Sequence, residues 1–526
     1  MRIPGDAPAH LALTELRGSF AGRGALRLAR RQAESVARAF PDEPSLFPAQ
    51  PNTGGPPPAQ GLNAPRCAVR SVELTAPFTP ITGLDGYRVV ELHLTRYGAP
   101  VGRAPAVVEG DRLSVAQLRD VVAEHLVREL RRTDKNRMGM VLRRWLRELA
   151  SDAEPDAWRQ ASIGEVSVVI ATYDRPADLR LCLRALGAQR TRRRVEVIVV
   201  DNHPASGITE PVAAEFSFTR YVAEPRVGLS YARNSGVRAA RGEIVACTDD
   251  DARPDPNWLE HLVAPFARPD VMVVTGNVLP LELESEAQHI FEQYGGLGRG
   301  FEYREFGPEW FNEFRRAVRT WDIGATANAA IRASAFRHPD IGLFDEALGA
   351  GTPAAVGEDT YLFYRVLAAG FRVVYEPAAV VWHRHRREMS ELRAQIFGYS
   401  AGHVAYNLTT WRRHGDRRGL LRVLVELPLH DLRQLALGVV RRAPYPFEIV
   451  LAEVAGHLAG PFAYWRATRR ARRLGRGPSL TVAQPGHWER ERPISSSDER
   501  DHADEVQRVS AVAGGARRSP DPPVGG

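Results

Sequence analysis

An α/β fold, with a mostly parallel sheet flanked by helices, is predicted for the middle of this 526-residue chain. Three observations predict it. Short, continuous apolar runs, VSVVIATY (166–173), VEVIVVDN (195–202) and EIVACTDDD (243–251), read as strands buried on both faces. Helical periodicity lies between them, as in PADLRLCLRALGAQ, where Leu179, Cys182, Leu183 and Leu186 recur at i, i+3, i+4 and i+7. Alternation of this kind gives three layers, with ligands outside the carboxyl ends of the strands.

Around this core the chain divides into parts. Residues 1–65 end in a Pro/Gly-rich stretch too poor in core formers to fold alone, so a disordered leader is expected. Residues 66–150 read as a small α+β module. YRVVELHLTRYGAPVGRAPAVV alternates around a YGAPVG turn as a hairpin does, and Leu118, Val121, Val122 and Leu126 then fall near helical spacing. Residues 163–410 hold the α/β domain. FTRYVAEP (218–225) is its third strand, and LSYARNSGVRAARG is a helix closed by Gly242. Residues 411–475 read as basic amphipathic helices, with 13 Arg against 5 acids, and 476–526 as a disordered tail.

Net charge is +7, but the chain has a single lysine, Lys135. Arginine and alanine richness of this kind reflects base composition, so no nucleic-acid partner is expected. A basic surface still suits phosphate-bearing substrates or an anionic membrane. Cys67, Cys182 and Cys247 are far apart and form no CxxC pair, which predicts neither a zinc site nor a disulfide scaffold and fits a reducing cytoplasm. No secretory signal and no apolar run of membrane-spanning length are expected.

Two constellations carry chemistry. Asp249, Asp250 and Asp251 end a strand, where adjacent carboxylates need a compensating cation. Oxygen ligands suit Mg²⁺ or Mn²⁺, which can in turn hold a diphosphate. A loop of Asp residues capping the helix near Trp258 is the alternative. The second constellation is VGEDTYLFYRVLAAGFRVVYEPAAVVWHRHR (356–386). There Glu358 and Asp359 open a helix, a favourable place for negative charge, and a strand then ends at His383, with His385 beyond.

In their order, VSVVIATYDRPADLRLCLRAL, VEVIVVDN, EPRVGLSYARNSGVRAARGEIVACTDDDARPDPNWL, DIGATANAAIRASAF, FDEALGAGTPAAVGEDTYLFYRVL and VVWHRH resemble a family 2 glycosyltransferase over residues 166–385. The resemblance implies a GT-A-like fold and inverting transfer from a nucleotide-sugar donor. It assigns Asp249, Asp251 and His383 to the metal, Asp359 to the catalytic base and Glu358 to its support. Thr172, Tyr173, Arg175, Asp201, Arg233, Asp249 and Asp250 are assigned to the nucleotide, and Gly324 and Asn328 to the donor-sugar and acceptor pocket. Asn234 lies in the same nucleotide-facing stretch, whereas Trp258 packs against the fold. Asp201 matches a carboxylate that accepts from uracil, which favours UDP.

Two departures matter. Processive members carry Gln-x-x-Arg-Trp after the base together with membrane spans. Here the only Arg-Arg-Trp, at 143–145, precedes the domain, so a single sugar per encounter is expected. The 66–150 module lies outside the common family core. A nucleotidyltransferase would want glycines and lysines after the first strand, and GGLGRG (295–300) has the wrong spacing for a dinucleotide site. A non-catalytic scaffold of polysaccharide assembly would have lost Asp251 or Asp359. The expected setting is cell-envelope or exopolysaccharide synthesis, with a lipid-linked or saccharide acceptor. The C-terminal helices would either seat the protein peripherally on the inner membrane face or cover the catalytic core.

Overall fold

The structure is a computed structural model that describes residues 66–108, 110–132, 164–440 and 443–475. The leader expected over 1–65, the Arg-Arg-Trp at 143–145 and the tail expected after 475 lie outside the described residues.

The N-terminal module is a three-stranded sheet with one helix. β1 (Cys67–Glu73) runs parallel to β2 (Val89–Arg96), which pairs antiparallel with β3 (Ala99–Val107). The turn is tighter than YGAPVG suggests: Tyr97 and Gly98 alone bridge the strands, at φ 50° and 79°. A two-residue hairpin needs this left-handed pair. The Glu73 carboxylate accepts from both of their backbone N–H groups at 2.9 Å. α1 (Val115–Arg132) adds Leu118 and Val122 to a core with Leu92 and Leu94.

The main domain starts with β4 (Glu165–Thr172), α2 (Pro176–Gly187), β5 (Arg194–Asp201), β6 (Thr219–Ala223), α3 (Leu229–Ala239) and β7 (Ile244–Asp249). These four strands are mutually parallel in the order β7-β4-β5-β6. Both faces are covered, as the apolar runs require. Val166, Val168 and Ile170 pack with Leu179, Cys182, Leu183 and Leu186 of α2, while Val169 turns to the opposite core with Ala232 and Val237 of α3.

Gly242 does not close α3. The helix ends at Ala239 with Ala240 extended, and Gly242 has no left-handed φ. A Cβ there would lie 2.6 Å from the Ser167 backbone N, so the glycine allows close approach to β4.

Beyond β7 the sheet becomes mixed. The chain continues through β8 (Ala252–Pro254), α4 (Trp258–Val263), β9 (Val271–Pro280), α5 (Glu286–Tyr294), β10 (Arg304–Phe306), β11 (Asn328–Arg332), α6 (Glu358–Ala368) and β12 (Arg372–His383). β11 is antiparallel to both β7 and β9, and β12 is parallel to β9. The result is a mixed α/β architecture with a central sheet flanked by helices.

Three long helices follow among the described residues: α7 (Met389–His414), α8 (Leu427–Val439) and α9 (Phe447–Leu474). α9 lies directly on α7, because Gly456 and Gly460 remove the side chains in between. A Cβ at either would come within 2.4 Å of Phe397 O or Val404 Cβ. Further along α9, Ala467 joins the core of the main domain. Among the described residues, no helix is long and apolar enough to cross a membrane.

Candidate active site

The triple aspartate sits where β7 ends and the chain turns into β8. β8 pairs antiparallel with the end of β12, placing His383 opposite Ala252. That register brings His383 beside Asp251, with Nε2 3.2 Å from Oδ1. Asp249, Asp251 and His383 each offer a ligand atom, all within 4.8 Å of one another. Two carboxylates and an imidazole suit a divalent cation of the Mg²⁺/Mn²⁺ class.

The capping alternative does not describe this loop. Asn257 is the N-cap of α4 without a side-chain bond, and Asp255 accepts from Asn257 N. The three carboxylates turn instead to neighbours on other elements. Asp250 accepts from Thr172 Oγ1 at 2.7 Å. Arg175, just before Pro176 opens α2, reaches Asp250 at 3.2 Å and Asp251 at 2.7 Å. Burial, reinforced by the charge of Asp251, pushes the Asp250 carboxyl up to about 7, although Arg175 and Thr172 oppose it. Burial works against ionised Asp251 as well, but His383 and Arg175 more than offset it and hold that carboxyl below the usual range. Burial would depress His383, yet the Asp251 carboxylate holds it above its ordinary value.

Across the site, Gly357 at φ 103° is the N-cap of α6 and offers no side chain. A Cβ there would meet Tyr406 Cβ at 3.3 Å and Gly402 O at 3.4 Å. Glu358 and Asp359 follow in the first turn and play different parts. Glu358 is buried against Arg233 at 2.8 Å. Burial, then the charge of Asp359, raises the Glu358 carboxyl to about 7 against the pull of Arg233. Asp359 lines the cleft, accepts from Thr360 N at 2.6 Å, and makes no ion pair among the described residues.

One cleft of about 2140 Å³ joins Thr172, Tyr173, Arg175, Arg233, Asp249, Asp250, Asp251, Gly324, Glu358, Asp359 and His383. Gly324 has φ 146°, and a Cβ there would strike Thr275 at 2.7 Å.

Three residues expected at the ligand lie elsewhere. Asp201 is fully buried at the end of β5, with its oxygens accepting from His203 N and Tyr221 Oη at 2.9 Å, so its carboxylate does not line the cleft. Asn328 is also fully buried. Its amide donates to Asn277 O and Ala379 O and accepts from Trp258 Nε1, which ties β11 to its neighbours and to α4. Asn234 holds Phe344 through both backbone N and O and is a core staple. In each case a nearby chain segment uses the polar atoms before a ligand could.

Sequence reasoning missed the cleft wall contributed by α7, where Gln395, Tyr399 and His403 face the cavity, and also missed Arg386. A legible signal was Gly398 and Gly402 at i, i+4. These small residues let α7 rest on the loop before Glu358: a Cβ on Gly402 would lie 2.3 Å from Val356.

Comparison with known proteins agrees with this geometry. The family model Glycosyl transferase family 2 matches residues 167–338. The pre-mycofactocin glycosyltransferase of Mycobacterium tuberculosis is 29% identical over 273 residues, 51% of this chain and 52% of that protein. The glucosyl-dolichyl phosphate glucuronosyltransferase of Haloferax volcanii is 28% identical over 250 residues, 45% of this chain and 76% of that protein. The succinoglycan biosynthesis protein ExoM of Rhizobium meliloti is 26% identical over 269 residues, 48% of this chain and 78% of that protein. The chain thus spans about half the length of the first of these relatives. Residues 167–338, whose strand ends carry the acidic loop, are thus similar to the glycosyltransferases of family 2.

Proposed function

We propose that this protein transfers a single sugar from a nucleoside-diphosphate sugar to an acceptor hydroxyl, with inversion, using Mg²⁺ or Mn²⁺. The observation that carries the reading is the convergence of Asp249, Asp251 and His383 on one point of the cleft that also contains Asp359. A divalent cation bound there would neutralise charge on the departing diphosphate. Thr172 and Arg175 hold Asp250 and Asp251 in place, and Arg175 and Tyr173 line the same cleft and would contact the nucleotide. Asp359 would take the proton of the incoming hydroxyl. The pairing of Glu358 with Arg233 leaves Asp359 as the carboxylate on that helix without an ion pair among the described residues, as a general base needs, and inversion is what the resemblance implies. UDP is the head group that the resemblance favours. With Asp201 enclosed, the base would be held by the Thr172–Tyr173 segment rather than by that carboxylate.

The acceptor we propose is a saccharide on a lipid carrier, met at an anionic membrane surface. Leu421, Leu424, Val425, Leu429 and Leu432 form one exposed apolar stripe, and Leu451, Leu458, Phe462 and Trp465 on α9 form another. Arg466 and Arg469 lie over the Phe462 and Trp465 rings, at 5.7 and 5.4 Å, and supply cations along the stripe on α9. Co-sedimentation with phosphatidylglycerol vesicles, lost in Leu458→Asp/Trp465→Asp, is the expected result. A lipid-free dimer broken by the same changes would instead assign the stripe to a second copy.

The test of the transfer reading is titration calorimetry with UDP, dTDP and GDP, in Mn²⁺ or in EDTA, on wild type and Asp251→Ala. Metal-dependent binding of one nucleotide, abolished by the substitution, is expected. If no nucleotide binds the folded protein, the transferase reading fails and a scaffold role takes its place.

A further inference from the structure

The N-terminal module makes side-chain contact with the strand that ends at His383. The His93 ring on β2 meets Trp382 edge-on, with centroids 5.1 Å apart. His93 is buried, neither ring nitrogen has a hydrogen-bond partner among the described residues, and burial lowers it to about 4, so it packs as a neutral ring. The module is further pinned by Cys67 N to Leu283 O at 3.0 Å and by Tyr87 Oη to Glu284 at 2.8 Å. From the neighbouring β3, Arg103 NH1 reaches Glu292 Oε2 at 3.6 Å.

Glu292, on α5, links this contact to the candidate metal site. Its Oε1 lies 2.9 Å from His385 Nε2, and His385 Nδ1 lies 3.2 Å from His383 Nδ1. Gly296 leaves the carboxylate its room, since a Cβ there would come within 2.6 Å of Glu292 Oε1. Phe291 meets the His385 ring edge-on at 4.8 Å, and Gln288 donates to the His385 carbonyl, so this imidazole is held in place.

The protons of the chain follow from its end. A carboxylate only accepts, so His385 Nε2 carries the hydrogen that meets Glu292. With a cation in place of the proton that His383 Nε2 shares with Asp251, the remaining ring hydrogen of His383 would sit on Nδ1 and donate to His385 Nδ1. This leaves His383 Nε2 as the ring atom facing Asp251 and Asp249. An imidazole ligand needs such an arrangement, with its distal N–H held by an acceptor that fixes tautomer and ring plane.

We propose that Glu292 and His385 are positioning residues that set His383 for a divalent cation, and that the N-terminal module, through Arg103, holds Glu292 for this task. The inference rests on the metal-dependent reading above and gives the module a role in it.

The experiment is Mn²⁺ titration of the full chain by calorimetry with UDP present, alongside UDP titration in EDTA. Glu292→Leu is expected to weaken Mn²⁺ binding roughly 10–100-fold, the usual cost of losing such an outer partner, with UDP binding in EDTA unchanged. Glu292→Gln keeps an acceptor and is expected to fall between wild type and Glu292→Leu. Arg103→Ala, at a half-exposed side chain, is expected to lose a few-fold in Mn²⁺ affinity without a change in melting temperature, and it carries the test if Glu292→Leu does not fold. Folded Glu292→Leu or Arg103→Ala protein with wild-type Mn²⁺ affinity would overturn the inference while leaving the metal site standing. Wild-type protein that binds UDP but no Mn²⁺ would overturn the metal reading itself, and this inference with it. Equal losses of Mn²⁺ and of metal-free UDP binding would mark a structural collapse and also overturn it.

Discussion

Arg233 lies fully buried between Asp249 and Glu358, with one guanidinium nitrogen 3.0 Å from the first carboxylate and the other 2.8 Å from the second. It couples the end of β7 to the start of α6, so the acidic loop and the helix carrying Asp359 share one cation. Removing it would leave the buried Glu358 carboxylate without its cation and the partly exposed Asp249 without its partner. Arg233→Met is expected to cost about 3–5 kcal/mol in urea unfolding. Arg233→Lys should recover part of this, because an ammonium cannot fork between two partners.

Asp359 is the candidate base, and its removal should separate chemistry from binding. Asp359→Asn is expected to lower kcat about 10²–10⁴-fold, the range for losing a general base. Nucleotide affinity in calorimetry should stay at the wild-type value. Parallel loss of binding and rate would reassign Asp359 to the donor pocket.

The acidic loop should also respond to pH. Asp250 is raised from 3.8 to about 7 in the folded protein, so between these values the folded state binds more protons than the unfolded. Stability from this group is therefore fully present below pH 3.8 and is lost as pH rises through about 7. In EDTA, Asp250→Asn should melt higher than wild type at pH 8, and the two curves should converge toward pH 4. Asp251 has the opposite sign, but its stability is lost only below its ordinary value of 3.8, outside this window.

The contact between α7 and α9 gives a packing prediction. A helical glycine replaced by a larger residue recovers at most about 1 kcal/mol of propensity. At Gly460, however, the new Cβ falls 2.4 Å from that of Val404. Gly460→Val is expected to destabilise by about 1–3 kcal/mol in denaturant melts, because overpacking outweighs the gain in propensity.

The acidic loop and the Glu358–Asp359 pair could be picked out by residue type; what each carboxylate does could not. Triple aspartate at a strand end and Glu-Asp at a helix start are local patterns. The division of labour between Glu358 and Asp359 depends on Arg233, which lies 125 residues before Glu358. The resemblance assigns Asp201 and Asn328 to the ligand. Tyr221 and Trp258 engage their polar atoms instead, and neither partner is adjacent in sequence.

By itself the sequence determined the strand runs, the two-faced burial of the parallel strands, the amphipathic C-terminal helices and the likeness to family 2 glycosyltransferases. These depend on periodicity and on motifs spanning a few residues. Only the tertiary structure decided that His383 meets Asp251, that α7 walls the cleft and that the N-terminal sheet contacts Trp382. Each is set by strand register or by the close approach of glycine-bearing segments, and both depend on partners far apart along the chain.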